Sequence, residues 1–229
     1  DPHTVLAAGG INAALGTRDP EDSWQQHFAD TLREGYYLSD PRNVELMARE
    51  APQAVEELAA WGCRFARTPE GKLDQRFFGA HKYRRTCYAG DYTGRAIIQA
   101  LASRIDELHI PVLENQYVSH LLVRDGVCFG VLAFDLASGE RTAHLADAVI
   151  VCTGGHTRVW RRSSSRRDEN NGDGLYLALQ AGSRLAAMEM VQFHPPVLVW
   201  PESILGTLVT EAVRGGGGVA SSPDGKRLA

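Results

Sequence analysis

Three groups of residues in this chain have the types and spacing to do chemistry. Met190-Val191-Gln192-Phe193-His194-Pro195 presents a histidine followed by a proline, and Thr210, Glu211 and Arg214 fall within five residues, just before a run of glycines. His and Thr can donate hydrogen bonds to a carboxylate, and Arg can do so as a two-pronged fork, so these residues suit a carboxylate ligand. They also suit plainer roles: His194 as a satisfied core histidine, and Glu211 with Arg214 as an i, i+3 ion pair on a capped helix. The third group is His3-Thr4-Val5-Leu6-Ala7-Ala8-Gly9-Gly10-Ile11-Asn12. Glycines lack Cβ, so their amides can face a flat ligand at contact distance, and successive N–H groups suit anionic or acceptor-rich partners. His3 stands at the mouth of that surface. A tight turn with a surface histidine is the other reading of the same residues.

The elements that must position these groups follow from periodicity. Asp19-Pro20-Glu21-Asp22 reads as a helix start, with Trp24, Phe28 and Leu32 as its apolar stripe and Gly35 as its stop. Asp40-Pro41 starts a second helix, with Val44, Met47, Ala48 and Ala51 on one face. A third is expected from about Pro52 to Trp61, ended by Gly62. Residues 63–93 lack periodicity and read as an irregular loop, which at that length is usually functional. A helix opens at Thr93-Gly94 and runs through His109, with Ile97, Leu101, Ile105 and Leu108 on one face. The period then changes to that of strands at 117–123, 127–136 and 141–145, joined by hairpin turns at Asp125-Gly126 and Ser138-Gly139. Ala148-Val149-Ile150-Val151-Cys152 reads as a short strand buried on both faces. It ends at Thr153-Gly154-Gly155, the kind of strand end at which open α/β sheets bind ligands. Asn171-Gly172-Asp173-Gly174 turns into a helix over 175–181.

Composition sets bounds. With 229 residues, 44% hydrophobic and 23% charged, the chain can bury a substantial core. Its net charge of −4 gives no global attraction to nucleic acid or anionic membrane. The five arginines within 158–167 lack aromatic interleaving and read as a solvated loop. No apolar run approaches the roughly 18 to 20 residues that span a bilayer, so direct membrane insertion is not expected. Cys63, Cys87, Cys128 and Cys152 form no Cys-x-x-Cys pair and the eight histidines form no His-x-x-x-His pair, so no metal site is expected.

Taken in order, the His3 stretch through Ala14, Thr153-Gly154-Gly155, Gly172-Asp173-Gly174, Gln192-Phe193-His194-Pro195 and Leu208-Val209-Thr210-Glu211 with Arg214-Gly215 resemble the flavoprotein subunit of succinate dehydrogenase and fumarate reductase. L-Aspartate oxidase and soluble fumarate reductases are relatives in that family. The resemblance runs over nearly the whole chain. It implies an α/β class with α+β elements: an FAD-binding dinucleotide fold with a β-meander over 1–192, a helical and loop insertion at about 19–110, and the start of a capping domain over 193–229. It implies that His3 bonds covalently to FAD, that Thr4, Ala7, Ala8, Gly9 and Gly10 line the flavin, and that Thr153, Gly154, Gly155 and Asp173 contact the dinucleotide. His194 and Thr210 would hold a substrate carboxyl group, with Phe78 and Gly10 against the substrate, and Glu211 and Arg214 would relay protons.

The activity implied is hydride transfer from succinate to covalent FAD, giving fumarate, with electrons leaving through a separate iron–sulfur subunit beside membrane-anchor subunits. The place implied is peripheral, on the cytoplasmic face of a bacterial cell membrane or the matrix face in a mitochondrion. The alternatives are a quinol-linked fumarate reductase working in reverse and a non-catalytic flavin-binding or assembly subunit. Three departures bear on the second: Ala8 stands where the family usually has Gln, Pro196 where it has Thr, and Gly216 where it has Glu. In the family the first strand and its Gly-x-Gly-x-x-Gly turn precede residue 1, and a shuttle arginine, a second substrate histidine and a second substrate arginine follow residue 229. The chain is therefore expected to be a piece of a larger protein that neither folds stably nor turns over alone.

Overall fold

The computed structural model describes residues 3–78, 81–161, 163, 169–191, 198–204, 209, 217–219 and 221–227. The chain divides into two compact units, Asp1–Ile110 with Val209–Ala229, and Pro111–Leu208.

The first unit begins with a short 3-10 helix, His3–Leu6, and a two-residue strand β1, Ile11–Asn12. Helix α1 spans Trp24–Glu34. Its cap is Ser23, whose Oγ accepts the Gln26 N–H at 3.2 Å, and not Asp19 as the sequence predicts. The reason is competition. The Asp19 carboxylate instead accepts the backbone N–H of Arg84 at 2.6 Å and pairs with its guanidinium, which holds the Asp19 carboxyl below its ordinary range. The expected apolar stripe of α1 is only half-buried, and the fully buried residues of the helix are His27 and Asp30.

Helix α2 runs unbroken from Pro41 to Ala60, with Asp40 Oδ1 accepting the Arg42 N–H at 2.9 Å. Two helices divided at Pro52 were expected. An interior proline removes one hydrogen bond and crowds the preceding turn, at a cost of about 3 kcal/mol. Val44 and Ala48 before it and Val55 and Leu58 after it nevertheless bury on one continuous face, and that packing carries the helix through.

Residues 63–92 are largely irregular, as the lack of periodicity predicts, but not wholly so. They supply β2, Gln75–Arg76, and β3, Thr86–Cys87, which form an antiparallel sheet with β1 in the order β1-β3-β2. The register aligns Ile11, Cys87 and Gln75 in one row and Asn12, Thr86 and Arg76 in the next. Two-residue strands are too short to display an alternating pattern, so periodicity could not find them. The core of the unit forms on this sheet: Ala13, Val55, Leu58, Cys63, Phe65, Leu73, Cys87, Ala89, Ala96 and Ala100. Burial pushes the Cys87 thiol up to about 12, so it packs as an inert apolar group.

Helix α3, Thr93–Glu107, buries its small residues Gly94, Ala96 and Ala100 most deeply. Ile97 and Leu101 of the predicted face pack at the core margin, while Leu108 is exposed. The Thr93 hydroxyl accepts the Ala89 N–H at 3.0 Å and ties the helix start to the strand before it.

One feature of this unit is electrostatic. Arg85, next to β3, is fully buried and pairs with Asp22 at 2.7 Å and with Asp30 at 2.9 Å, both also buried. Burial pushes the Asp22 carboxyl up, while Arg85 opposes that shift. His27 lies beside the group. Burial and the positive charge of Arg85 lower its pKa to about 4, and Nδ1 has no hydrogen-bond partner among the described residues.

The second unit is built on an antiparallel meander, β4 Gln116–Arg124, β5 Val127–Asp135 and β6 Arg141–Leu145, in that order. The predicted hairpin turns are present. Asp125 and Gly126 both take positive φ, 52° and 78°, the turn whose twist matches the strands it joins. Helix α4 is Asp173–Gln180 and touches β4. The strand expected at 148–152 does not form among the described residues. Ile150 is 86% exposed and the run is irregular. An extended apolar segment becomes a strand only when a neighbour accepts and donates its ladder bonds, and none of the described strands lies beside it. No helix among the described residues is long and apolar enough to cross a membrane.

Two outcomes follow. Arg85→Leu leaves Asp22 and Asp30 buried without a counter-charge and should destabilise the fold by about 3–5 kcal/mol in urea unfolding. For His27, the unfolded chain takes up a proton below about 6.5 while the folded one resists until about pH 4. The unfolded state therefore binds more protons in that window, and stability falls as pH drops from 6.5 to 4, by roughly 3 kcal/mol on the linkage relation. Denaturation midpoints across that range should show the slope, and His27→Gln should flatten it.

Candidate functional site

The glycine-bearing stretch is held from three sides. At its start the 3-10 helix rests on the first turn of α3. The Gly94 N–H, one of the donors a helix N-terminus leaves unpaired, donates to the Ala7 carbonyl at 2.8 Å. The contact is so close that a Cβ on Gly94 would overlap the Thr4 carbonyl oxygen and lie 2.9 Å from the Ala7 Cβ. At its end the stretch enters β1. Gly10 has φ +134°, which disfavours any side chain, and a Cβ there would meet the Thr86 side chain and the Cys87 carbonyl.

The third support is Arg76 on β2. Its Nη2 donates to the Gly9 carbonyl at 2.8 Å and reaches the Ala8 carbonyl at 3.4 Å and the Gly90 carbonyl at 3.3 Å. The guanidinium lies over the Tyr88 ring, 4.3 Å from its centroid. Tyr88 is itself fixed, because its hydroxyl donates to Asp74 at 3.1 Å, and Asp74 is paired with Arg18 at 2.6 Å. Burial, with Asp74 adding to it, raises the Tyr88 phenol, while the hydrogen bond from Arg18 lowers the Asp74 carboxyl.

This arrangement occupies the carbonyls of Ala7, Ala8 and Gly9. Among the described residues the N–H groups of Ala8, Gly9 and Gly10 find no acceptor. Three consecutive donors on a half-exposed, side-chain-poor strip are what an acceptor-rich, flat ligand requires. The Phe78 ring packs on the same strip, where a Cβ on Gly9 would come within 2.5 Å of its edge. Asn12 ties the strip to the chain following Phe78. Its Oδ1 accepts the Thr86 hydroxyl at 2.6 Å, and its Nδ2 meets His81 Nε2 at 3.1 Å. His3, half-buried, belongs to the 3-10 helix at the start of the strip.

The first unit thus brings together His3, Thr4, Ala7, Ala8, Gly9, Gly10 and Phe78. Thr153, Gly154, Gly155 and Asp173 come together in the second. There the Gly155 N–H donates to Asn170 Oδ1 at 3.0 Å. Gly174, at the start of α4, leaves no room for a Cβ beside Thr153 and Val151. Asp173 opens α4 and accepts the Tyr117 hydroxyl at 3.4 Å, and its charge raises the Tyr117 phenol. His194, Thr210, Glu211 and Arg214, with Pro196 and Gly216, lie outside the described residues. Sequence reasoning missed Arg76, Tyr88, Asp74, Thr86 and the Asn12 side chain. For all but Asn12, which ends the glycine-bearing stretch, the one legible signal was their place in the segment without periodicity, 63–93.

The chain belongs to the FAD binding domain family, which it matches over residues 1–229. Its mixed helix and strand architecture is that of an FAD-binding domain from succinate dehydrogenase and fumarate reductase flavoproteins. It is 42% identical over 225 residues to one of the subunits of the fumarate reductase (CoM/CoB) of Methanothermobacter marburgensis, covering 98% of this chain and 41% of that one. It is 38% identical over 234 residues to the succinate dehydrogenase flavoprotein subunit of Rickettsia conorii, covering 99% and 38%. Among solved structures, Mycobacterium smegmatis Sdh1 in complex with UQ1 matches with a TM-score of 0.88 at 42% identity, over 99% of this chain and 40% of that one. A quinol-fumarate reductase with menaquinol molecules matches with a TM-score of 0.89 at 34% identity, over 99% and 38%. The chain spans about two-fifths of the length of the curated relatives it matches.

The donor set fits the cofactor of this family: consecutive amides without an acceptor among the described residues, on small residues that carry little or no side chain, with the Phe78 ring against Gly9. Gly94→Ala tests the seating of the strip. Relieving the overlap with Thr4 forces the 3-10 helix off α3. Overpacking of this kind costs about 1–3 kcal/mol. The expected result is a lower unfolding midpoint together with less FAD incorporated per chain of the full-length protein, read from flavin absorbance, whereas Gly126→Ala, at an open turn, should leave FAD content unchanged.

Proposed function

We propose that this chain is the FAD-binding portion of the flavoprotein subunit of a succinate:quinone oxidoreductase, with FAD attached covalently through His3. The observation that carries the reading is the strip Ala8-Gly9-Gly10, whose amides find no acceptor among the described residues while Arg76 holds the Ala8 and Gly9 carbonyls and Gly94 holds that of Ala7 just before it. Thr4, Ala7, Ala8, Gly9 and Gly10 line the flavin. Thr153, Gly154, Gly155 and Asp173 hold the remainder of the dinucleotide. Bound there, FAD supplies the acceptor for a hydride from a dicarboxylate methylene carbon.

This chain's own residues bind and orient. His194 and Thr210 donate to one substrate carboxyl group, and Phe78, packed on Gly9, offers an apolar wall that limits water at the reacting carbons. Gly10 lets the substrate approach without a side chain between. Glu211 and Arg214 pass protons towards the site. Residues 1–192 form the FAD-binding domain and 193–229 begin the capping domain. The partners are membrane-anchor subunits and an iron–sulfur subunit that takes the electrons, which places the protein peripherally on the cytoplasmic or matrix face of a membrane.

Relatives named for fumarate reduction, one of them 42% identical, give the reverse direction a specific footing. Succinate oxidation remains the reading here because His3 offers a covalent tether, which raises the potential at which the flavin accepts electrons.

The test is flavin fluorescence on a denaturing gel of the full-length protein, with dye-linked succinate oxidation measured in parallel. A fluorescent band that His3→Ala abolishes, with turnover inhibited by malonate, is the expected result. Flavin released completely by acid denaturation would remove the covalent assignment. A flavin-loaded complex with no malonate-sensitive turnover would leave a non-catalytic flavin-binding subunit, for which Ala8 in place of a polar side chain is the structural argument.

A further inference from the structure

Arg76 differs from the other arginines around the strip in one respect. Arg18 pairs with Asp74, Arg84 with Asp19, and Arg85 with Asp22 and Asp30. Among the described residues no carboxylate pairs with Arg76. Its charge is spent on three backbone carbonyls and the face of Tyr88. Two of those carbonyls share peptide units with free donors: the Gly9 carbonyl with the Gly10 N–H, and the Ala8 carbonyl with the Gly9 N–H. A cation bonded to a peptide oxygen draws electron density from that peptide's nitrogen, so the N–H becomes a stronger donor, as in any chain of hydrogen bonds. The polarity runs one way, from guanidinium through peptide to the exposed amides.

We propose that Arg76 is a positioning residue that sets the redox poise of the bound cofactor through the Ala8–Gly9 and Gly9–Gly10 peptides, without touching it. This rests on the reading of that strip as the flavin seat. Reduction adds electron density to the acceptor edge of an isoalloxazine, and strengthened donors bind the reduced form better than the oxidised one. Arg76 therefore favours electron uptake, in the same direction as a covalent tether and independently of it. The Tyr88 ring beneath the guanidinium holds Nη2 in place, and the Tyr88 hydroxyl's bond to Asp74 keeps the ring from turning. Lysine cannot replace the function fully, because it keeps the charge but loses the planar group that lies on the Tyr88 ring.

The experiment is a spectroelectrochemical titration of the flavin in the full-length, flavin-loaded protein. Arg76→Met is expected to weaken the preference for reduced over oxidised flavin at least tenfold, a midpoint about 30 mV lower for a two-electron couple. Arg76→Lys should recover part of that shift. An unchanged midpoint in Arg76→Met with flavin still bound overturns the proposal. If Arg76→Met retains no flavin, Tyr88→Leu decides: removing the seat of the guanidinium should move the midpoint in the same direction by less, and no movement overturns the proposal. Wild-type protein that binds flavin and oxidises succinate while both variants keep its midpoint refutes this inference alone. Wild-type protein that holds no flavin refutes the functional reading and this inference together.

Discussion

The first unit depends on one buried arginine. Arg85 has no exposed surface, and its charge is met by Asp22 before α1 and by Asp30 within it. Such a group adds little net stability compared with apolar packing, because three desolvated charges offset most of their mutual attraction. It does fix geometry. Arg85 is the residue immediately before β3, and β3 is the central strand on which β1 and β2 both pair. Strands of two residues have almost no register preference of their own, and a slip of one residue reverses which face every side chain takes. Here a slip would carry Arg85 away from both carboxylates and leave charges buried and unpaired. The ion group thus selects the one register in which Gly10 meets β3 and Arg76 faces the Gly9 carbonyl.

That constraint explains how a site can stand on so little regular structure. The strip Ala8–Gly10 has no helix or strand hydrogen bonds of its own. It is defined at its ends by Gly94 and β1, and in the middle by Arg76. Each support is polar and directional, whereas the apolar core lies to one side, under α2 and α3. Apolar packing would have been less useful on the strip itself, since side chains there would cover the amides. Small residues keep the donors accessible, and the rigidity that side chains would normally supply comes from the charged second layer of Arg76, Tyr88, Asp74 and Arg18.

Legibility in the sequence followed the same division. Elements with their own period or turn chemistry were readable: α3 from Thr93-Gly94, the meander from alternation and Asp125-Gly126, α4 from Gly172-Asp173-Gly174. The strip was readable as a candidate binding surface because paired glycines beside a histidine carry a local chemical meaning. What could not be read was decided by distant partners. Asp19 has the chemistry of a helix cap, but Arg84, far along the chain, takes its carboxylate and Ser23 caps instead. Pro52 has the chemistry of a helix stop, but a continuous buried face overrides it. The 63–93 segment carries no pattern because its strands are shorter than the pattern. The apolar run 148–152 has a strand's composition without a neighbour to pair with among the described residues.

His27 shows why the buried charges and the candidate site cannot be separated. A neutral imidazole beside Arg85 leaves the guanidinium's charge to Asp22 and Asp30. A protonated one would compete for the same carboxylates and add a second cation to a space that already desolvates three charges. The register of β3 would then lose its electrostatic advantage at the point where Thr86 bonds Asn12 and Gln75 Nε2 donates to the Ala13 carbonyl at 2.7 Å. Protonation of His27 therefore bears directly on the ion group that sits beside β3, the strand to which the end of the glycine strip is paired.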